Sequence, residues 1–117
     1  PSSDQVSALK EPMLTINDNT TTVDTLRVSE SVVAFQVVLS LDLEHEYLGD
    51  LIIRLVHDEL DVVVLRNMGT GTDALNRDFV IDVPRGIDTE GEGRLIIDDT
   101  AAEDVGILRS WGLRFNQ

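Results

Sequence analysis

Apolar residues in this chain recur at every second position, in one short run after another, and that period decides most of what it can fold into. In Val32–Leu41, VVAFQVVLSL, residues Val33, Phe35, Val37, Leu39 and Leu41 share one parity while Ala34, Gln36 and Ser40 share the other. A strand sends two such sets to opposite faces, so the first set is expected in the core. The alternation returns in LIIRLV with Leu51, Ile53 and Leu55, and in DFVIDV with Phe79, Ile81 and Val83. It returns again in RLIIDD with Leu95 and Ile97, and in ILRSWGLRFN with Trp111, Leu113 and Phe115 set against Arg109, Ser110, Gly112 and Arg114. No segment holds a helical period through three turns. The polar stretches NDNTTTVD, NMGTGTDALNR and PRGIDTEGEG read as a turn and two long loops, and the closely spaced runs LIIRLV and DVVVLR read as an antiparallel hairpin. About seven or eight short strands with a turn roughly every ten residues predict an all-β fold, a jelly-roll β-sandwich. The first dozen residues, closed by Pro12, read as a linker or tether (1–12), which leaves 13–117 as the sandwich.

With 117 residues there is room for one core, and with apolar residues at 42% but aromatics at 4% that core has to be built from Val, Ile and Leu. Nine basic against 22 acidic residues give a net charge of -13, which repels phosphate backbones and anionic leaflets. Nucleic acid and membrane surfaces are therefore excluded as partners, and no apolar run is long enough to insert in a membrane. Lys10 is the one lysine, and aspartate outnumbers glutamate. Such short carboxylates suit divalent-cation binding and suit a solvated surface in salty surroundings equally well. There is no cysteine, which removes disulfides, thiolate metal sites and a thiol nucleophile. The N-terminus has no signal-peptide pattern, so an export address is expected on a longer precursor.

The densest chemistry lies in LEHEYLGDL, where acids and His45 precede a Gly49-Asp50 turn. A catalytic or metal-ligating His45 would need a nucleophile or further ligands in a matching pattern, and none is present, so His45 is expected to be structural. Tyr47 shares the parity of His45 and Leu43 and is expected to pack at an edge of the sandwich. Gly49 permits a turn conformation, and Asp50 is expected to accept hydrogen bonds from turn amides or to ligate calcium. Ser110 lies mid-strand outside any nucleophile elbow, and Gly69-x-Gly71 lacks the remainder of a nucleotide-binding loop. An enzyme is not expected. Asn19-Thr20-Thr21 is a glycosylation sequon, meaningful in a eukaryotic secretory setting.

Two motifs narrow the assignment. His45-x-Tyr47-x-Gly49-Asp50-Leu51, followed by Leu55, is similar to a His-x-Tyr-x-Gly-Asp-Leu signature. LIIDDTAAEDVGILRSWGLRF then supplies Leu95, Ile97, Asp99, Ala101, Ala102, Asp104, Gly106, Leu108, Trp111, Leu113 and Phe115 in the order of a second. Together they resemble the P domain, or Homo B domain, of proprotein convertases and bacterial subtilisin-like secreted proteases, from about Ile16 to Phe115. Two features depart from that pattern. His57-Asp58-Glu59-Leu60-Asp61 stands where the family has Ser-Pro-x-Gly-Thr, and Gly91-x-Gly93 stands where it has Gly-x-Trp.

The resemblance implies a galactose-binding-domain-like jelly roll without catalytic residues, a monomeric unit of a secreted or cell-surface serine endopeptidase precursor. Its implied partner is the catalytic protease domain of the same polypeptide, which such domains pack on and stabilise, modulating its calcium and pH dependence. Asp50, Asp99 and Asp104, at strand ends in the matched motifs, are the candidate calcium ligands. The alternative for Asp99 and Asp104 is folding of the DDTAAEDVG turn through side-chain to backbone bonds. The competing function is a carbohydrate- or protein-binding module, although one Trp and one Tyr are few aromatics for stacking sugars.

Overall fold

A computed structural model describes residues 5–17, 19–45, 51–66, 74–99 and 106–117. Nine strands run through them: β1 (Gln5–Lys10), β2 (Leu14–Ile16), β3 (Thr21–Val28), β4 (Val33–His45), β5 (Leu51–His57), β6 (Leu60–Arg66), β7 (Ala74–Asp88), β8 (Gly91–Asp99) and β9 (Gly106–Asn116). One sheet has the order β1-β9-β4-β7, with β2 also on β9, and the other has the order β3-β8-β5-β6. All pairings are antiparallel. The inner faces meet over an aliphatic core in which Leu39, Leu43, Ile53, Leu55, Leu95, Ile97, Trp111 and Phe115 are fully buried. The expected β-sandwich is therefore present, and its inward parity in β5, β8 and the second half of β9 is the one read from the alternation.

Several local expectations are overturned, each for an identifiable reason. Residues 5–10, expected as tether, form β1 and pair with β9 from Gln5↔Asn116 to Lys10↔Trp111. The run QVSALK offers two small apolar side chains of one parity, Val6 and Ala8, too weak a pattern to announce a strand, yet Val6 is buried. Thr21–Asp24, expected within a turn, opens β3, where β-branched threonines suit the pleat. Pro84–Gly93, expected as a loop, is mostly strand on both sides of Thr89-Glu90. Pro84 is tolerated because β7 is an edge strand whose outer side needs no N–H. Likewise Ala74–Arg77, expected in a loop, belongs to β7.

Bulges explain the remaining differences. The β4–β7 register slips between Ala34 and Gln36, so that Val83–Gly86 stand opposite Phe35, with Gly86 at φ 79°. Parity inverts across that slip: Ala34 is buried while Val33 and Phe35, expected inward, are half exposed. A second slip, at Asp42/Leu43 against β9, places both Leu108 and Trp111 inward although they are three residues apart. The β5–β6 hairpin forms as expected. Its loop is Asp58-Glu59, and Asp58 takes the positive φ (55°) that a glycine would adopt more cheaply.

Candidate functional site

Four of the motif residues, His45, Leu51, Asp99 and Gly106, converge at one corner of the sandwich, where β4 and β8 end and β5 and β9 begin. His45, the last residue of β4, projects between the sheets and its Nε2 lies 2.8 Å from Asp99 Oδ2 at the end of β8. Both side chains are wholly excluded from solvent. Asp99 stands in register with Leu51, also fully buried, and His45 stands in register with Gly106. Gly106 has to be glycine, because a β-carbon there would run into the Glu44 carbonyl and the His45 Cα. Each sheet thus contributes one partner to a buried hydrogen bond at the roots of the two motif segments.

Among the predicted site residues, His45, Leu51, Asp99 and Gly106 are brought together here. Trp111 is not. It lies further along β9, fully buried, and its indole Nε1–H donates to Asp24 Oδ2 at 2.8 Å. Tyr47, Gly49, Asp50 and Asp104 lie outside the described residues. Among those described, no three His, Cys, Asp or Glu side chains converge to hold a metal ion. The Asp99 carboxylate is enclosed and engaged by His45.

Sequence reasoning missed three contributors. Lys10 Nζ donates to Asp24 Oδ1 at 3.0 Å and to the Thr25 carbonyl at 2.8 Å, so that Lys10, Asp24 and Trp111 join β1, β3 and β9. The signal was available: Asp24 shares the parity of Leu26 and Val28, and an acid on a core face requires a donor. His57, the third, is fully buried, its ring centroid 5.1 Å from that of Phe115. Its Nε2–H donates to the Asp88 carbonyl at 3.3 Å. At Gly93, where the family pattern has tryptophan, a β-carbon would stand 2.9 Å from Leu113 Cδ1 and 3.4 Å from His57 Nδ1. The two departures from the pattern are therefore linked, because His57 and Leu113 fill the space above Gly93.

Asp88 fastens the turn between the sheets. Its Oδ1 accepts from the Glu90 amide and the Ser31 hydroxyl, both at 2.9 Å, and these bonds, the amide first, hold its carboxyl below the usual carboxylate range. Buried Thr89 ties the same turn to the segment before β4, donating to the Glu30 carbonyl and accepting from the Val32 amide.

Fold and corner together define a two-sheet antiparallel sandwich whose sequence motifs serve to lock one sheet to the other. The chain belongs to the proprotein convertase P-domain family, whose model matches residues 34–115. It is 32% identical over 78 residues to leupeptin-inactivating enzyme 1 of Streptomyces exfoliatus, covering 66% of this chain and 18% of that protein. Its fold is similar to a region of the serine protease of Aeromonas sobria, with TM-score 0.73 and 20% identity over 98% of this chain and 27% of the protease. FlhE gives TM-score 0.66 at 15% identity, covering 96% of this chain and 92% of its own. The chain thus spans well under a third of the two enzymes it matches.

Proposed function

We propose that this P domain is a non-catalytic accessory domain of a secreted subtilisin-like serine protease, packing on the catalytic domain of its own polypeptide and stabilising it. The observation that carries the reading is the His45–Asp99 pair. In an enzyme a histidine–carboxylate pair faces a substrate; here both side chains are enclosed and spent on joining the sheets. What a rigid sandwich offers a neighbouring domain is surface, and whatever binds only the folded neighbour stabilises it by mass action. The carbohydrate-binding alternative is less well supported, since Trp111 and Phe115 are buried and Phe35 is the one strongly exposed aromatic among the described residues. Calcium modulation belongs to the same proposal, with Asp50, Asp99 and Asp104 as the candidate ligands.

Deleting this domain from the full-length polypeptide is expected to lower the yield of active protease and its melting temperature. Unchanged folding and activity would overturn the proposal.

A further inference from the structure

The two long sides of the sandwich are finished differently. On one side edge strands β1 and β3 are cross-linked by the Lys10–Asp24 ion pair, with the Trp111 indole behind it. On the other, edge strands β6 and β7 leave a groove of about 510 Å³ between the sheets, walled by Val62 and Val64 of β6 and Phe79 and Ile81 of β7. These four side chains pack inward against the core and remain partly open. β7 runs in unbroken register with β4 from Ala74 to Asp82, so nine residues of regular strand present an outer edge that no strand among the described residues pairs with. Neither the bulge at Val83–Gly86 nor Pro84 interrupts that stretch. Such an edge is a template for an added strand.

We propose that this side is a docking slot for an extended segment of the adjoining region of the same polypeptide, added as a strand along β7. The segment's alternate side chains are apolar and fill the groove, and one acidic residue faces Arg77. Arg77 carries the charge argument. Its guanidinium lies 4.5 Å above the Phe79 ring at the groove and makes no ion pair or hydrogen bond among the described residues, in a chain of net charge -13. Asp78 beside it has the opposite parity on β7 and accepts from Ser40 Oγ of β4 at 2.7 Å, so the arginine is the charge that shares the parity of Phe79 and Ile81. A second copy of this domain is the poorer occupant, because it brings another -13 to the same interface. The inference rests on the accessory role above for the source of the segment, not for the existence of the slot.

The test is fragment-resolved amide exchange on the full-length polypeptide, comparing the wild type with Arg77→Glu, Arg77→Lys and, as a surface control, Arg94→Glu. Occupation predicts roughly tenfold slower exchange across residues 76–82 in the wild type than in Arg77→Glu. Arg77→Lys is expected to retain most of the protection and Arg94→Glu all of it. Exchange across 76–82 that is fast in the wild type, or unaffected by Arg77→Glu, overturns the slot. If domain deletion cripples the protease while Arg77→Glu changes nothing, the slot fails and the accessory role stands. If deletion is harmless yet Arg77→Glu releases β7, the slot stands and the accessory role fails.

Discussion

At the scale of single residues, a buried imidazole–carboxylate pair has to be complete to be harmless. His45→Ala leaves the Asp99 carboxylate enclosed without its ring partner, and a loss of about 3 kcal/mol or more is expected. Asp99→Asn keeps the shape and an acceptor for Nε2–H, so about 1–3 kcal/mol is expected. Urea denaturation of both variants checks the order; equal and small losses would mean that the pair does not hold the sheets together. Asp88 gives a pH signature. Its folded carboxyl titrates below the unfolded one, so its contribution to stability is present above the unfolded value and disappears as pH falls through the folded value. Asp88→Asn is therefore expected to melt below the wild type at neutral pH, with the difference closing below about pH 4. Melting curves across that range decide it.

At the scale of elements, what was legible and what was not separates along physical lines. Parity in β5, β8 and the second half of β9 followed the alternation, because those strands are packed on one face and a strand in a half-buried sheet has little freedom to choose its inward set. The inversion at Phe35 was not legible. It depends on residues 83–86 of another strand, and a bulge is a property of the pair rather than of either sequence. At the corner, the motifs pointed to His45, Leu51, Asp99 and Gly106 but not to the bond between His45 and Asp99, which are 54 positions apart. β1 escaped notice because it is held by its backbone pairing with β9 and by Val6 alone joining the core, not by a pattern of its own. This makes a sharp prediction. Removing residues 1–10 strips β9 of a partner and Asp24 of Lys10, and is expected to cost about 2–4 kcal/mol by urea denaturation. A true tether would cost less than about 0.5 kcal/mol.

At the scale of the whole molecule, a net charge of -13 on 117 residues puts the folded state under its own repulsion, which added salt relieves. Melting temperature is expected to rise with sodium chloride. At matched ionic strength calcium is expected to add a further increment over magnesium, lost in Asp50→Ala. An identical response to the two divalent cations would remove calcium from the proposed function and leave the acidity as an adaptation to its medium. The Lys10–Asp24–Trp111 seam makes such experiments simple to read. The chain holds one tryptophan, enclosed and hydrogen-bonded through its indole N–H where β1, β3 and β9 meet. Its fluorescence is thus a native optical gauge: emission that shifts to the red before global unfolding would time the opening of that seam without any label.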